Sequence, residues 1–312
     1  MPVLLDMFSA AFLQRALIGG LLVAAICAIV GTWVVIRGMA FLGEALSHGI
    51  LPGVALASLI GIPTIIGAAA SATVMSLGIT WLSRRGRLSN DTAIGLVFVG
   101  MLSLGVLIVS RSQSFATDIT AVLFGDILAV RTEEIVLLGI SFVVVAVTAL
   151  VFTRSFIAVS FDERKAATLG LRPNLANIVL ILLVTVAVVS AYRAVGALLV
   201  VGLLLGPPAA AAFWTRTIRT AILLAFALGS AAVLAGLVAS WYSGLAASAA
   251  IACTAVLSYI VSALVHAVVK RRTNSRRHDG QDQPSAVAIP GSPTGSRLPD
   301  SLRTSRTKEH TV

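Results

Sequence analysis

Long apolar stretches recur along the chain, and short polar connections separate them. Each stretch approaches the ~20 residues that a helix needs to cross a ~30 Å hydrocarbon core. The stretches lack the short apolar/polar alternation of an outer-membrane barrel. The chain is therefore predicted to be an all-α, polytopic membrane helical bundle. The nine stretches cover residues 12–36, 43–60, 62–83, 91–110, 133–153, 174–190, 195–213, 218–240 and 246–269.

Composition agrees with a chain buried in lipid. Of its 312 residues, 58% are hydrophobic and only 12% are charged, and the mean hydropathy is +0.99. Soluble domains carry about 25% charged residues, so this chain has too little polar surface to face water. The sequence has no GxxxxGK[ST] phosphate loop, no HExxH and no GxSxG. We therefore expect neither an enzyme nor a bound cofactor, and any ATP would be bound by a partner chain.

Basic residues are concentrated in alternate connections and give the chain a net charge of +10. The positive-inside rule places those connections in the cytoplasm, and with them the C-terminal end of the chain. We expect a multi-pass protein of a bacterial inner or plasma membrane and no nucleic-acid partner. The basic residues are Arg84, Arg85 and Arg87, then Arg154, Arg164, Lys165 and Arg172, then Arg216 and Arg219, then Lys270, Arg271 and Arg272.

The second stretch, 43–60, is rich in helix-disrupting residues, including Gly49, Pro52 and Gly53. If it crosses fully, the chain has nine spans and its N-terminal end is outside. If it is a broken or re-entrant helix, the chain has eight spans and that end is inside. Irregular backbone at membrane depth is tolerated where it lines a cavity, so this stretch is predicted to border a pathway, with Pro52 as a helix break or gate.

The same stretch places Glu44 and His48 four residues apart, on one face of a helix. A carboxylate and an imidazole together suit divalent Mn, Fe or Zn, and ionisable groups in a span usually face a cavity or a partner. Both are predicted metal ligands. Two alternatives remain open: Glu44 pairs with Arg37 at the membrane surface, or His48 donates to a backbone carbonyl near the proline.

The connection at 160–174 is the largest amphipathic cytoplasmic segment. A short charged helix there, ending at a glycine, would fit a groove on a cytoplasmic partner, whereas an ordinary solvated turn is the alternative. Near 192–213, regularly spaced glycines predict close helix packing, and Pro207 and Pro208 predict a helix break that could act as a gate. The candidate docking residues are Phe161, Asp162, Glu163, Ala166 and Gly170.

The last part of the chain differs in composition from the rest. Residues 271–312 are rich in Ser, Pro, Gly and Arg and hold few apolar side chains. Such a segment cannot offset its ordering entropy, so it is predicted to be a disordered, basic cytoplasmic tail after a transmembrane domain at 1–270.

Four motifs in order resemble one transport family. "VVIRGMAFLGEALSHGILPGVALA" (34–57) resembles R-x-M-S-F-x-G-D-A-L-S-H-A-x-L-P-G-V-A, and "AVLFGDILAV" (121–130) resembles LFGS-I-L-x-V. "FDERKAATLGL" (161–171) resembles FD-x-E-x-A-x-x-x-G, and "VGALLVVGLLLGPPAAAA" (195–212) resembles VG-x-L-L-V-x-A-L-L-x-x-P-A-A-x-A. The chain is identified on this basis as similar to the ABC-3 permeases, the type II importer-like membrane subunits that take up manganese, zinc or iron.

The resemblance implies a homodimer with a metal path near its axis, driven by a separate ATPase subunit and supplied by an extracellular metal-binding protein. His48 matches the histidine of the family pattern, and Glu44 stands where the pattern has aspartate. Phe161 to Gly170 matches the segment expected to contact the ATPase. Two other readings stay open: an ATP-independent secondary transporter, and an ABC permease for siderophores or cobalamin.

Overall fold

The structure is a computed structural model that describes residues 11–85, 89–110, 125, 127–161 and 172–279. Within these ranges it contains ten α-helices and one 3-10 turn, Ile127–Ala129. The helices are α1 (Ala11–Ile36), α2 (Ala40–Gly49), α3 (Leu51–Ile60), α4 (Thr64–Arg85), α5 (Asn90–Ser110), α6 (Thr132–Phe161), α7 (Pro173–Val195), α8 (Ala197–Ala212), α9 (Ile218–Ser243) and α10 (Ala247–Asp279).

The predicted all-α membrane bundle is confirmed. In the described ranges, eight segments are long and apolar enough to cross a membrane, and α2 with α3 counts as one of them. The outer helices present large aliphatic side chains to the surroundings, as Val143, Val147 and Leu150 of α6 do. Because such a helix is apolar on its outward side too, its natural environment is hydrocarbon.

Helix α1 lies at the centre of the bundle. In its most apolar 18-residue stretch, 67% of the residues are buried, whereas the share is 22% in the corresponding stretches of α5, α6 and α10. It packs against α6, α8 and α9. The Trp33 ring of α1 meets Phe156 of α6 edge-on, with 5.1 Å between the ring centroids, and both side chains are buried. The first span therefore serves as the core around which later helices assemble.

Helix α8, the shortest apolar segment, runs parallel to α1. The Cys27 thiol lies 3.9 Å from the Val200 carbonyl oxygen, and one turn further along both helices Gly31 meets the Leu204 carbonyl. Val35 at the end of α1 and Ala212 at the end of α8 line one small cavity together with Ala221 of α9. Parallel packing means that α8 runs in the same direction as α1.

By length and composition, eight segments of the described residues could cross a membrane, and α8 is a shorter apolar helix beside them. Eight and nine crossings both stay open predictions. The stretch at Ala40–Ile60 is interrupted yet has 21 residues, whereas the 16-residue α8 is the short one. At 1.5 Å per residue α8 is about 24 Å long, slightly less than the hydrocarbon core.

The two predicted proline breaks have different outcomes. At Ile50 the helix is interrupted between α2 and α3, and Pro52 occupies the first turn of α3, as predicted. The break predicted at Pro207 and Pro208 is wrong, since α8 continues through both residues to Ala212. Both prolines lie in the last turns of α8 and are buried, so packing holds the chain helical although two N–H donors are missing.

Helices α7 and α8 are joined by a single residue, Gly196, at φ 81° and ψ 156°. This conformation is strained for any side chain. Gly125, from the "LFGD" motif, packs against it, and a Cβ on Gly125 would overlap the Gly196 backbone nitrogen. Two of the sequence motifs therefore meet through glycine backbone.

Helix α10 is longer than the predicted transmembrane domain. It continues as helix to Asp279, where the predicted tail was to begin at residue 271. No proline or glycine occurs between 245 and 279, so nothing in the sequence stops the helix at the membrane surface. Residues 280–312 lie outside the described ranges, and their disorder stays a prediction.

Candidate metal site on helix α2

One face of α2 is open, while the others are buried. The open stripe consists of Phe41, Glu44 and His48, spaced i, i+3 and i+7 so that they follow one side of the helix. The remaining positions pack inward because they are small or apolar, namely Leu42, Gly43, Ala45, Leu46, Ser47 and Gly49. The sequence therefore orients the only two ionisable side chains of the helix outward together.

The structure brings Glu44 and His48 into contact. His48 Nε2 lies 2.9 Å from Glu44 Oε1, and the side chains are 29% and 41% exposed. An ionised carboxylate only accepts hydrogen bonds, so Nε2 carries the proton and donates. Each residue is thus a side-chain partner of the other, and the pairing of Glu44 with Arg37 stays a prediction. A cation that binds here replaces that shared proton, since a metal takes the unprotonated nitrogen.

Helix α5 supplies an aromatic wall beside the pair. The Phe98 ring centroid lies 6.2 Å from that of His48 and 5.5 Å from that of Phe41, edge-on in both cases. The imidazole is therefore held between a carboxylate and an apolar ring. Half-exposed polar atoms against an apolar wall suit an ion that sheds part of its water while it passes.

The helix interruption lies directly after His48. Pro52 has no N–H to give to the His48 carbonyl four residues earlier, and the Ile50 N–H is directed to the Leu46 and His48 carbonyls instead. The Ser71 hydroxyl of α4 donates to the Gly49 carbonyl at 2.7 Å. Helix α4 thus binds the backbone directly after His48.

Close helix contacts surround the interruption. A Cβ on Gly53 would overlap the Gly67 carbonyl oxygen of α4. A Cβ added to Gly105 of α5 would lie 3.4 Å from Pro52. Small residues allow backbones to approach in this way within a membrane. The site therefore rests on a rigid support of three helices.

One chain offers only two side-chain ligands here. Among the described residues, no group of three or more His, Cys, Asp or Glu side chains could hold a metal. A tightly held divalent metal needs four or more ligands. Any ion at Glu44 and His48 must complete its shell from water, backbone or a second copy of the chain.

Buried ionisable groups would be expected of an ion-coupled secondary transporter. In the described part of the chain, the fully buried polar side chains are Ser and Thr alone, such as Ser76, whose hydroxyl lies 2.7 Å from that of Thr185. Glu134 and Arg193 form an ion pair at 3.6 Å between the ends of α6 and α7, and both side chains are partly exposed. These residues do not form a proton or ion relay through the spans.

The remaining predicted residues are only partly described. Phe161 is the last residue of α6, and Arg172 and Pro173 begin α7, as expected for a connection between two spans. Asp162, Glu163, Ala166 and Gly170 lie outside the described residues, so their docking role stays a prediction. Pro52 follows the pair in the chain, whereas in α8 Pro208 packs against Gly31 of α1 and Pro207 lies near Gly229 of α9.

Sequence reasoning missed Phe98, Ser71 and Gly105. Each belongs to a helix distant in the chain and sits in an otherwise ordinary apolar or small-residue stretch. No local pattern distinguishes them, because their role comes from the contact of α4 and α5 with the interruption. Only the tertiary arrangement identifies them.

The chain matches known transport proteins along most of its length. The profile of the ABC 3 transport family matches residues 9–266. The manganese transport system membrane protein MntC of Listeria innocua is 36% identical over 253 residues, which is 81% of this chain and 90% of that protein. A probable iron transport system membrane protein of Haemophilus influenzae is 33% identical over 239 residues, 77% of this chain and 88% of that protein.

A solved structure has the same fold. PsaBC from Streptococcus pneumoniae, in complex with Fab, superimposes with a TM-score of 0.72 at 31% sequence identity, and the match covers 82% of this chain and 92% of that one. The similarity therefore extends over most of the chain.

Proposed function

The chain belongs to the ABC-3 transport family, and we propose that it is the permease subunit of an importer for a divalent transition-metal ion. Relatives named for manganese and for iron transport support this ion class. The observation that carries the proposal is the Glu44–His48 pair, 2.9 Å apart on the open face of α2 beside a helix interruption. Manganese is the first choice among Mn, Fe and Zn.

Two copies of the chain would complete the site. One copy presents a carboxylate and an imidazole on a half-exposed face, and a second copy would add the same pair and raise the count to four. Four ligands from two movable subunits suit transport better than a closed cage, because an ion that is held too tightly cannot leave. On entry the cation would take Nε2, whose proton leaves to water while Nδ1 takes up a proton so that the ring stays neutral, and the Glu44–His48 contact would re-form on exit.

The energy for transport would come from a partner. The chain has no phosphate-loop motif, so ATP would be hydrolysed by a separate ATPase subunit bound at the connection between α6 and α7. By the positive-inside rule the basic connections would lie in the cytoplasm, together with the end of α10. An extracellular metal-binding protein would deliver the ion to the opposite side, and the spans would expose the α2 site alternately to the two sides.

The test is metal uptake by cells that carry single variants. His48→Ala and Glu44→Ala remove one ligand each, and uptake of radioactive Mn²⁺ is expected to fall by at least the roughly 10- to 100-fold that loss of even an outer-shell partner costs. The matched control is His266→Ala, because His266 packs against Phe213 and Trp214 far along the chain.

Two further measurements make the result interpretable. Membrane levels of each variant, and co-purification of the ATPase subunit, are expected to equal those of the unaltered chain because α2 exposes these side chains. Uptake by His48→Ala at the level of the His266→Ala control would contradict the proposed site.

A further inference from the structure

A groove lies beside the central helix α1, between two of the helices that pack against it. Helices α6 and α9 both pack against α1, and a groove of about 780 Å³ runs between them. Its floor is formed by Ile29 and Trp33 of α1. The volume falls in the range of about 300–1,000 Å³ typical of ligand pockets. No residue of the α2 site lines this groove.

Two arginines lie at the groove. Arg154 of α6 and Arg219 in the first turn of α9 both line it, with Thr217, the N-cap of α9, close by in the chain. No acidic residue lines the groove, and within the described ranges neither guanidinium has an ion pair or hydrogen bond. The N-terminal end of α9 adds further positive potential. The mouth therefore attracts an anion.

The rest of the groove is apolar and extends into the bilayer. From Arg154 it reaches to Ala146, eight residues and about 12 Å deeper along α6. Leu150 and Ile222 face each other across it as parts of its two walls. An apolar channel at this depth, with two guanidinium groups at its cytoplasmic mouth, has the amphipathic character of a phospholipid.

We propose that this groove binds an anionic phospholipid of the cytoplasmic leaflet, its phosphate between Arg154 and Arg219 and one acyl chain over Trp33. Guanidinium groups bind phosphate through paired hydrogen bonds. Basic pockets between transmembrane helices on the cytoplasmic side recognise anionic head groups. An acidic segment of a soluble partner fits the arginines but not the apolar floor, because that floor lies at the depth of the acyl chains. The proposal is independent of which ion is transported.

The test uses the full chain in nanodiscs of equal parts phosphatidylglycerol and phosphatidylcholine, with bound lipid counted by native mass spectrometry. Each arginine near an anionic surface contributes about 1 kcal/mol. Arg154→Gln and Arg219→Gln are each expected to lower phosphatidylglycerol retention about 5-fold, and the double variant about 30-fold. Arg172→Gln, an exposed arginine of the same membrane side that does not line the groove, is expected to retain the lipid.

A second pair of variants tests the apolar part and leaves both arginines intact. Ala146→Phe fills the groove and is expected to displace the lipid, whereas Val147→Phe, on the neighbouring exposed position of α6, is not. Equal retention of both lipids by the unaltered chain, or unchanged retention in the double variant and in Ala146→Phe, overturns the proposal. Displacement of the lipid by millimolar inorganic phosphate overturns the proposal in favour of a free-ion site. Loss of ATPase co-purification in the arginine variants, without loss of lipid, overturns it in favour of a protein-docking site.

Discussion

Two proline-containing segments of similar apolar character differ in what they do to the helix. At Ala40–Ile60 the helix is interrupted at Ile50, and a half-exposed Glu44–His48 pair lies just before the interruption. In α8 the helix continues through Pro207 and Pro208, and the prolines are buried. The difference shows that a proline does not by itself decide whether a helix is interrupted.

The neighbours of α8 explain why it stays helical. The Leu204 carbonyl, whose N–H donor Pro208 removes, faces Gly31 of α1 so closely that a Cβ there would overlap it. Such glycine contacts allow weak Cα–H···O bonds that partly replace the lost donor. At Gly206 the Ala255 carbonyl of α10 approaches in the same way. Helix α8 is therefore in close backbone contact with α1 and α10, whereas one face of α2 is exposed.

The largest effect on stability is expected from a substitution at the contact between Gly31 of α1 and Leu204 of α8. Gly31→Val places side-chain atoms on the Leu204 carbonyl, and backbone on both sides cannot move away. We expect a loss of about 3 kcal/mol or more of stability and little folded protein. The measurement is the yield and melting temperature of monodisperse protein in detergent.

The matched control for this substitution is Gly95→Val on α5. A Cβ on Gly95 meets nothing within 4 Å, so that variant is expected to fold. Equal yields of Gly31→Val and Gly95→Val would show that the contact between α1 and α8 does not hold α8 in place.

Replacing Pro52 at the interruption, or Pro208 in the continuous helix α8, tests whether the two prolines differ in their effect on transport. Pro52→Ala restores an N–H toward the His48 carbonyl, which favours a continuous helix and shifts the Glu44–His48 pair relative to α4 and α5. We expect metal uptake to fall about tenfold, equivalent to ~1.4 kcal/mol, while the melting temperature stays the same or rises.

Pro208→Ala provides the contrast, because α8 is already helical at that position. Its uptake is expected to stay within about twofold of the unaltered chain, a difference of less than 1 kcal/mol. Equal losses of uptake in the two variants would show that the interruption has no special part in transport.

A smaller effect is expected from the hydroxyl that braces the interruption. Ser71→Ala removes the 2.7 Å hydrogen bond to the Gly49 carbonyl and is expected to cost about 1 kcal/mol of stability. Ser103→Ala is the control, since Ser103 is exposed and bonds only within its own helix. A melting temperature for Ser71→Ala equal to that of the control would argue against a brace between α4 and the interruption.

The smallest effect is expected from Glu44→Asp, which restores the acid of the family pattern. The carboxylate withdraws by about one C–C bond, ~1.5 Å, and its contact with His48 lengthens. We expect the ratio of Mn²⁺ to Zn²⁺ uptake to change about two- to fivefold, or less than ~1 kcal/mol. Glu44→Gln keeps the length but not the charge. If both variants show an unchanged ratio, Glu44 has no part in selecting the ion.

Much of this architecture is predictable from the sequence because the spans are long and apolar. The predicted segments at 91–110, 174–190 and 218–240 each fall within an observed helix, and the interruption near Pro52 follows from proline chemistry. The pairing of Glu44 with His48 follows from their spacing of four residues.

The errors in the sequence prediction arose where distant helices decide the outcome. The break expected at Pro207 and Pro208 is absent from the observed helix, which packs against Gly31 of α1 at that turn. Likewise, the short apolar segment is α8, which packs parallel to α1 at Cys27 and Val200. Neither contact leaves a signal in the local pattern, since each joins residues more than 170 positions apart.

The parallel course of α1 and α8 has a practical consequence for reporter fusions. If α8 crosses the bilayer, the number of passages is odd and the two ends of the bundle lie on opposite faces, and if it does not, they lie on one face. With the basic connections in the cytoplasm, a green fluorescent reporter beyond α10 and a phosphatase that needs oxidised thiols ahead of residue 11 are both active only in the first case.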